Sequence, residues 1–560
     1  MKWIATGKHN TVEDVLTAKT GLSLAEIVKP KRVSPASIQG LEATLNLIKQ
    51  CIARGDHITI VGDYDADGVT STAILVKLFR RMGCQPEYVI PRRFSEGYGF
   101  SEKTLRRVEK MSSDGGYRPG LIVTVDNGIT AVDTVATARE KGFRVSILDH
   151  HLPGDVLPEA DALVDPHISP KNNGFSEYCG AGLSLKLAEL YLLNSDKSEM
   201  APADTVLLME CYVLAAIGTI GDMVPLVGDN RFLVKKGLTL MNTQYNSLSF
   251  ALKSLLSSAD VENIDEETIA FKIAPLMNAP GRLFNAGGTS VVKALLCDDK
   301  QESLDYTLKL KQINDDRKQL SADGAKSVSE QLEKAGLTAH TPICVYAENL
   351  AEGLVGLVAA NIAEKYKKPT FVFTNGAEKG VVKGSARSIP GFDLKPLFDA
   401  VAPVVEKAGG HSGAGGLSLR NENYAEMVKI LRNAAKDCVT GDMDAIEYDM
   451  VIDAQSIPET LETLKKYMPY GKGIEPPVFV INDFAPEMVS GAHYRIIGAD
   501  GTHLRLMGRG FSVIGFGLAD TYIKMNTPDK LSLLGTLSEN VFRGTSTPQM
   551  MLKDVQQSNA

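Results

Sequence analysis

Short apolar runs alternate with amphipathic stretches in the first part of the chain. The runs are mainly apolar, and residues 70–82 and 131–142 between them repeat apolar side chains at helical spacing. Strands buried on both faces lack polar alternation, and a helix between two strands allows them to run parallel. The pattern predicts an α/β domain with a parallel sheet covered on both faces. Its predicted strands are residues 57–62, 86–91, 121–125, 144–148 and 161–164.

The rest of the chain changes in character three times. Residues from about 183 to 335 predict helices, and the charged stretch near 301–335 predicts a connector helix with little burial. A second α/β pattern begins near residue 341, and short strands with Gly and Pro turns from about 445 predict a small β domain. The predicted divisions are an N-terminal segment at 1–50, a parallel-sheet domain at 51–235, a helical connector at 236–335, a second α/β domain at 336–440 and a β domain at 441–556.

The composition is that of a folded protein. The 560 residues are 44% hydrophobic and 23% charged, and the formal net charge of −8 excludes a chain that is basic over its whole surface. Any nucleic-acid site must therefore be a local basic patch. The seven cysteines include no Cys-x-x-Cys pair, which predicts reduced thiols and a cytoplasmic location. Charges interrupt the long apolar stretches and the first residues, so we expect neither a membrane helix nor a signal peptide.

Three acids follow the first predicted strand. Asp63, Asp65 and Asp67 alternate with Tyr64 and Ala66. Extended backbone has a side-chain period of two, so the three carboxylates are predicted to point the same way. Carboxylates this close repel one another unless a cation lies between them, and Mg²⁺ and Mn²⁺ prefer such oxygen ligands. A solvated acidic turn is the alternative interpretation.

Further acids and imidazoles follow other predicted elements. Asp126 follows the strand at 121–125, and the Asp-His-His run at 149–151 follows the strand at 144–148. A predicted helix ends in small residues before Asp222. The carboxyl ends of parallel strands meet at one edge of a sheet, where ligands bind. Because several acidic positions converge there, a divalent-metal site is favoured over a solvated turn.

Four spaced motifs resemble those of a known superfamily. In chain order they are GDYDADGVTST, TVDNGIT, LDHH and GTIGDMVPL, and they are similar to the successive motifs of the DHH phosphoesterase superfamily. From about residue 30 to 555, the chain most resembles the RecJ family of bacterial exonucleases specific for single-stranded DNA. The resemblance implies two ions, either Mg²⁺ or Mn²⁺. It implies as their ligands Asp65, Asp67, Asp126, His150 and Asp222.

The resemblance also implies roles for neighbouring side chains. Asp67 and Asp126 are the expected bridging carboxylates. His151 and Asp63 are expected to act in catalysis, His151 by contacting the scissile phosphate and Asp63 as a supporting acid outside the ligand set. Pyrophosphatase-like relatives have a His where this chain has Val61, so one ion is expected to be held more loosely.

Two arginines are candidates for binding phosphate. Arg93 lies in a predicted loop before the sequence GYG and resembles the arginine of the corresponding loop in the family. A planar guanidinium can bind two phosphate oxygens, so Arg93 is expected at a terminal phosphate; a surface pair with Glu96 is the alternative. Tyr98 in the same loop is expected either to stack on a base or to pack the loop. Arg282, in a Gly-Arg motif, is expected to contact phosphate, or else to cap a helix or form a salt bridge.

The two C-terminal regions resemble substrate-binding domains of the family. The second α/β region contains KGSARS and GGHSGAGG, is similar to the DHHA1 domain, and implies contacts by Ser385, Arg387 and His411. Its stretch 350–356 lacks the Trp-His pair that is usual in the family. The last region resembles the family's OB-fold, a β-barrel that binds single strands through aromatic stacking and a basic groove. A structural role is the alternative for this barrel, whose candidate contacts are His503, Arg505, Arg509, Phe511 and Phe516.

The implied function is a metal-dependent exonuclease in DNA recombination and repair that degrades single-stranded DNA from 5′ to 3′ into 5′-mononucleotides. The resemblance further implies a cytoplasmic monomer without membrane association, with a single-strand-binding protein and a RecQ-type helicase as partners. The enzymatic alternative is a DHH phosphodiesterase of short oligoribonucleotides or cyclic dinucleotides, but such enzymes resemble the chain only to about residue 440. The non-enzymatic alternative is an inactive nucleic-acid-binding scaffold, but scaffolds of this kind lose motif acids that this chain retains.

Overall fold

The computed structural model describes residues 2–168, 174–193, 200–439, 445–488, 493–498, 501–542 and 545–558. The chain divides into two compact units. The larger consists of Val33–Val224 and Leu233–Met443, and the smaller of Met1–Arg32, Pro225–Phe232 and Asp444–Ala560. The sequence-based divisions keep the first and last segments apart, whereas the contacts group them in one unit. The domain limits themselves stay predictions.

The larger unit contains the predicted parallel sheet. The neighbouring strands Ile58–Val61 and Leu121–Val125 are mainly apolar and completely buried, because helices on either side of the sheet exclude water. In chain order, the first strand of this sheet lies one position in from the edge. The second strand pairs with it on one side and the third on the other, so the strand order reverses between the first strand and the third. Across the sheet the strands are Glu87–Val89, Ile58–Val61, Leu121–Val125, Arg144–Leu148 and Ala162–Val164. The accompanying helices are Leu41–Arg54, Ala66–Arg81, Glu102–Asp114 and Val132–Glu140.

The helix after the first strand begins earlier than predicted. It spans Ala66–Arg81, not 70–82, and Asp65 is its N-cap, with a side chain that accepts a hydrogen bond from the Gly68 N–H at 3.1 Å. Asp67 therefore lies in the first helical turn. The prediction that Asp63, Asp65 and Asp67 alternate along an extended strand is wrong, because capping of the exposed helical N–H groups turns the backbone at Asp65.

A helical region follows, as predicted, and ends in a connector helix of 35 residues, Lys300–Lys334. Its apolar stripe is narrower than the sequence suggests, since Leu310 and Ile313 are buried but Leu308 is 64% exposed. The helix Pro202–Gly221 is long and apolar enough to cross a membrane, but it packs in the core of the unit. The other elements here are Gly180–Leu193, Gly228–Thr243, Phe250–Ser257, Glu266–Thr268, the π-helix Ile269–Ile273, Ala274–Leu283 and Gly287–Leu295.

The second α/β pattern forms a five-stranded mixed sheet in the same unit. Only the pair that contains Ile343–Tyr346 is parallel; the other neighbours are antiparallel. Across the sheet the strands are Lys407–Gly410, Ala414–Arg420, Val381–Arg387, Thr370–Asn375 and Ile343–Tyr346. The helices are Val355–Tyr366, Lys395–Val401 and Tyr424–Ala434.

The smaller unit is built on a seven-stranded mixed sheet. Across the sheet its strands are Met450–Val451, Phe479–Phe484, Leu531–Phe542, Thr545–Gln557, Phe511–Gly515, His503–Gly508 and Tyr494–Ile497. Its helices are Val12–Thr20, Leu24–Val28, Ile457–Lys465 and Ala519–Lys524. A separate parallel pair joins Lys2–Ala5 to Ala445–Tyr448.

The ends of the chain share one core in this smaller unit. Leu16 and Ile27 of the N-terminal segment pack among buried residues of the seven-stranded sheet. The inserted segment Pro225–Phe232 is held by the fully buried Arg231, whose guanidinium donates hydrogen bonds of 2.5 Å to the carbonyls of Ile27, Tyr467 and Pro469. The part of the N-terminal segment up to Arg32 is therefore an integral part of this unit.

Candidate functional site

Three carboxylates meet where the order of the parallel sheet reverses. Asp63 follows the strand Ile58–Val61, and Asp126 follows the neighbouring strand Leu121–Val125. Oxygens of Asp63, Asp65 and Asp126 lie within 4.8 Å of one another. In open parallel sheets, this switch point at the carboxyl ends of the strands is where a crevice forms and ligands bind.

A second group of ligating atoms lies next to the first. Side chains of Asp67, His150 and Asp222 come within 4.8 Å of one another. The His150 Nε2 atom lies 3.0 Å from an oxygen of Asp126 and 3.7 Å from oxygens of both Asp67 and Asp222. All five residues predicted as metal ligands are thus brought together, and Asp63 joins them as a sixth potential donor.

The carboxylates of this cluster are buried and close together, so bound cations would stabilise their negative charges. Burial and the charge of Asp65 raise the pKa of Asp63 well above its usual range, and burial and the charge of Asp67 do the same for Asp126. Oδ1 of Asp63 is buried without a hydrogen-bond partner among the described residues. Burial lowers the pKa of His150, which favours the neutral imidazole that metals bind. This donor set of carboxylates and one imidazole fits Mg²⁺ or Mn²⁺.

Two ligands are held by unusual backbone surroundings. The carboxylate of Asp67 accepts the N–H groups of Gly180 and Ala181 at 2.7 and 2.8 Å, at the start of the helix Gly180–Leu193. A helix N-terminus stabilises an anion. Asp126 has φ of 61°, in the left-handed region that costs a residue with a Cβ roughly 1–2 kcal/mol. The fold therefore maintains a strained conformation at a predicted ligand.

His151 is oriented by two neighbours. Its Nδ1 lies 2.7 Å from Oδ1 of the buried Asp149, and its Nε2 lies 2.9 Å from the Tyr98 hydroxyl. Burial lowers the pKa of His151, but the hydrogen bond and charge of Asp149 outweigh it, and the pKa is raised to about 9. Tyr98 donates in turn to the carbonyl of Asp126 at 3.2 Å. Tyr98 thus bonds to other groups of the site. Asp149 was not among the predicted site residues, because its motif was interpreted only through the two histidines.

An arginine cluster lies beside the acids. The Arg93 guanidinium stacks 4.9 Å from the ring centroid of Tyr64. Burial lowers the pKa of Arg282 to about 10, and the positive charges of Arg93, Arg317 and Arg387 contribute to the shift. The alternative pairing of Arg93 with Glu96 is wrong, because Glu96 pairs with Arg107 at 2.7 Å.

Arg317 is a member of this cluster that the sequence analysis missed. It lies on the connector helix, where one Nη donates to Asn314 at 2.7 Å. Its Nε is buried without a hydrogen-bond partner among the described residues. The connector helix contains many charged residues, so its sequence does not distinguish Arg317 from the others. The predicted capping and salt-bridge alternatives for Arg282 have no counterpart among the hydrogen bonds and ion pairs of the described residues.

Comparisons with known proteins decide the family. The model of the DHH family N-terminal domain matches residues 57–219, the DHHA1 domain matches 340–437, and the RecJ OB domain matches 448–554. The single-stranded-DNA-specific exonuclease RecJ of Haemophilus influenzae is 30% identical over 550 residues, which cover 93% of this chain and 91% of the relative. The chain belongs to the RecJ family.

Two further RecJ proteins are similar over nearly the whole chain. The Bacillus subtilis single-stranded-DNA-specific exonuclease RecJ is 32% identical over 527 residues, or 93% of this chain, and the chain spans 64% of that longer relative. The crystal structure of Thermus thermophilus RecJ in complex with Mn²⁺ superimposes with a TM-score of 0.80 and 25% identity, covering 100% of this chain and 80% of that one. These likenesses confirm the predicted architecture of DHH, connector, DHHA1 and OB regions.

The DHHA1 domain of this RecJ-family chain brings two predicted contacts together. Arg387 donates to Ser385 Oγ at 3.2 Å and to the Ala386 carbonyl at 2.8 Å. A side chain at Gly356 would come within 3.1 Å of both Ser385 and Arg387, so the turn after residue 350 packs against this pair. Within that turn, burial raises the pKa of Glu352, and the charges of Lys383 and Arg93 oppose the rise.

The third predicted DHHA1 contact, His411, is separate from that pair. It is exposed in the turn between Lys407–Gly410 and Ala414–Arg420. In the described residues its side chain forms neither a hydrogen bond nor an ion pair with Ser385 or Arg387. A glycine-rich hairpin predicts access to the backbone but not the direction of the His411 side chain.

The OB region of this RecJ-family chain contains a mixed set of candidate contacts. Phe511 is wrong as a stacking residue, because it is 2% exposed and packs in the core, whereas Phe516 is 62% exposed with its ring 5.0 Å from that of His503. Arg505 lies directly opposite Arg495 on the neighbouring antiparallel strand. Like charges directly opposite each other destabilise a sheet.

Proposed function

We propose that this chain is a divalent-metal-dependent exonuclease that degrades single-stranded DNA from the 5′ end into 5′-mononucleotides. The supporting observation is that the acid and imidazole cluster at the switch point has an arginine cluster beside it. The first can hold cations at a phosphodiester, and the second can hold a phosphate group.

The proposed metal ligands are Asp65, Asp67, Asp126, His150 and Asp222, with Asp67 and Asp126 as bridging carboxylates. These residues would hold two divalent ions, which would supply a water molecule of lowered pKa and positive charge to neutralise the reacting phosphate. The clustered carboxylates and His150 hold the ions in place.

His151 has a different proposed role. Its pKa of about 9 keeps it cationic at neutral pH, and its ring is oriented by Asp149 and Tyr98. On substrate binding its Nε2–H would exchange the Tyr98 hydroxyl for a phosphate oxygen, while its Nδ1 stays bonded to Asp149. Asp63, buried between Asp65 and Asp126, is proposed to support the metal cluster from within.

The proposed polarity depends on the arginines. A terminal phosphate carries up to two charges, whereas an internal phosphodiester carries one, so clustered guanidiniums favour the strand end. Arg93, Arg282 and Arg387 with Ser385 are the proposed contacts, and Arg317 is added from its charge on Arg282.

A degradation assay tests this function. Single strands labelled at the 5′ or the 3′ end are incubated with Mn²⁺ or Mg²⁺, with duplex DNA and single-stranded RNA as controls. Immediate release of labelled mononucleotide from the 5′-labelled single strand alone is expected. Mononucleotide release from the 3′ label first, or equal attack on duplex, would contradict the proposal.

A phosphodiesterase of short oligoribonucleotides or cyclic dinucleotides remains the enzymatic alternative. The smaller unit, with its long seven-stranded sheet, is unnecessary for substrates of a few nucleotides. Rates on di- to pentaribonucleotides, measured beside a DNA strand of about 50 nucleotides, separate the two. Turnover confined to the short ribonucleotides would favour the alternative.

The proposed setting is a cytoplasmic monomer that acts with a helicase of the RecQ type and a single-strand-binding protein. A nuclease restricted to single strands needs an enzyme that separates the two strands of duplex DNA. It also needs a protein that protects the separated strands. Light scattering of the purified chain tests the monomer, and degradation of duplex DNA only when helicase and ATP are added tests the cooperation.

A further inference from the structure

Asn127 ties together the two strands on either side of the switch point. Its Nδ2 lies 3.0 Å from the carbonyl of Gly62, 3.2 Å from that of Val61 and 2.8 Å from that of Val125. Gly62 directly precedes Asp63 on one strand, and Val125 directly precedes Asp126 on the other. One amide group thus bonds the carboxyl ends of both strands at once.

The side chain of Asn127 is 1% exposed, and its Oδ1 has no hydrogen-bond partner among the described residues. An unpaired buried acceptor costs roughly 1–3 kcal/mol. This unpaired oxygen lowers the stability of the fold. We therefore attribute the role of Asn127 to the hydrogen bonds that its Nδ2 donates. Space there is tight, because a Cβ at Gly99 would lie 3.3 Å from the Cβ of Asn127.

The bonds act on a backbone that is already strained. Asp126 adopts its left-handed conformation immediately before Asn127, and its N–H donates to the Leu148 carbonyl at 3.0 Å. Without the cross-strand bonds from Asn127, the end of this strand could relax away from the strand that carries Asp63. The oxygens of Asp63, Asp65 and Asp126 would then no longer stay within 4.8 Å of one another.

We propose that Asn127 is a positioning residue that sets the spacing of Asp63 and Asp126 and thereby the affinity of their carboxylate group for a divalent ion. Asn127 is not itself a ligand in this proposal. The inference rests on the proposed metal dependence, but it concerns binding of the ion and not the choice of DNA substrate. It can therefore hold even if the proposed polarity or substrate is wrong.

The test measures Mn²⁺ binding directly, by the electron paramagnetic resonance signal of free Mn²⁺ in titrations of the full chain without DNA. Asn127→Leu keeps the approximate shape of the side chain and removes its N–H donors. Asn127→Ser is a second, less disruptive variant in case Asn127→Leu does not fold. Thr124→Val is the matched control, because Thr124 is buried near the end of the same strand and its Oγ1 has no hydrogen-bond partner among the described residues.

Loss of an outer partner of a metal ligand typically weakens metal binding by about tenfold to a hundredfold. We expect Asn127→Leu to weaken at least one Mn²⁺ site by about that factor, Asn127→Ser to weaken it less, and Thr124→Val to leave it unchanged. Melting temperatures in EDTA establish that the variants are folded. Unchanged Mn²⁺ affinity in a folded Asn127 variant would overturn the proposal, as would equal losses in Asn127→Leu and Thr124→Val.

Discussion

Asp149 and His151 form a partly buried hydrogen bond of 2.7 Å, and Tyr98 connects His151 in turn to the backbone of Asp126. Asp149 also accepts the backbone N–H groups of Ile129 and His150, at 2.9 and 2.8 Å, so its carboxylate cannot rotate freely. The imidazole is consequently fixed in direction and in proton occupancy before any substrate arrives.

Replacing Asp149 by Asn should lower kcat by about tenfold to a hundredfold, because the amide no longer stabilises a cationic imidazole in this orientation. Turnover is measured on a single-stranded DNA at saturating Mn²⁺. Tyr98→Phe is the control, since it removes only the weaker partner and should change kcat less. Equal effects of the two changes would mean that His151 depends on packing and not on the carboxylate.

Asp67→Ala and Asp126→Ala should each abolish hydrolysis in Mg²⁺ and Mn²⁺ while strand binding stays within a few-fold of the original. The expected ligands hold the ions, whereas affinity for DNA arises from many phosphate contacts. Asp133→Ala, at an exposed acid of the same unit, is the matched control for loss of one negative charge. Turnover near the original rate in either variant would refute the ligand assignment.

Arg93→Ala should slow cleavage of 5′-phosphorylated strands by about tenfold to a hundredfold, because charge-assisted hydrogen bonds contribute roughly 1.5–3 kcal/mol. Strands with a 5′-hydroxyl should be affected much less. The neighbouring exposed Arg92 supplies the control variant Arg92→Ala, which should leave both rates unchanged. An equal loss on both substrates would assign Arg93 to an internal phosphate and direct the search for the end sensor to Arg387.

Arg282→Lys should make end binding sensitive to mildly alkaline pH. Burial lowers the pKa of Arg282 to about 10, so its guanidinium stays charged up to pH 9. The usual pKa of Lys is about two units lower, so a lysine at this position should lose its charge near pH 8. The dissociation constant of 5′-phosphorylated oligo(dA) in EDTA, from pH 7 to 9.5, measures the effect, since adenine does not ionise there. If the dissociation constant of Arg282→Lys changed with pH no more than that of the original protein up to pH 9, the buried arginine cluster would be contradicted.

Arg505→Ala should weaken binding to long single strands and reduce the salt dependence of binding by about one ion, without slowing cleavage of short oligonucleotides. Lys466→Ala, at an exposed lysine of the same unit, is the charge-matched control. Unchanged affinity at physiological salt would favour a structural role for this sheet. A point variant is preferable to deletion of residues 445–560, which would also remove the strand partner of Lys2–Ala5.

The parallel sheet and its metal edge could be predicted because their signals are local. The apolar runs 121–125 and 144–148 are strands, and each is followed at once by an acid, so the topology brings Asp126 and His150 together. The start of the helix at Ala66 was harder to predict from the sequence. Gly68 and the β-branched residues after it are poor helix formers, and only tertiary packing decides that they are helical.

Other features leave no mark within a short window of sequence. Arg317 is one of many charges on the connector helix, and only the fold brings it to Arg282. The hydrogen bonds of Asn127 depend on a strand that ends about 65 residues earlier in the chain. The exposed and buried positions of Phe516 and Phe511 likewise follow from the sheet in which they lie.

The pairing of the two chain ends affects how the protein is made. The indole of Trp3 donates to Asp554 at 2.8 Å, across a sequence separation of 551 residues. A ribosome adds about 5–20 residues per second, so Trp3 waits roughly half a minute to two minutes for its partner to be synthesised. During that interval the apolar side chains of the helix Val12–Thr20 lack the later part of their core, so this helix is a natural point for chaperones to bind the nascent chain. As the only tryptophan, Trp3 would also report by its fluorescence when synthesis and folding are complete.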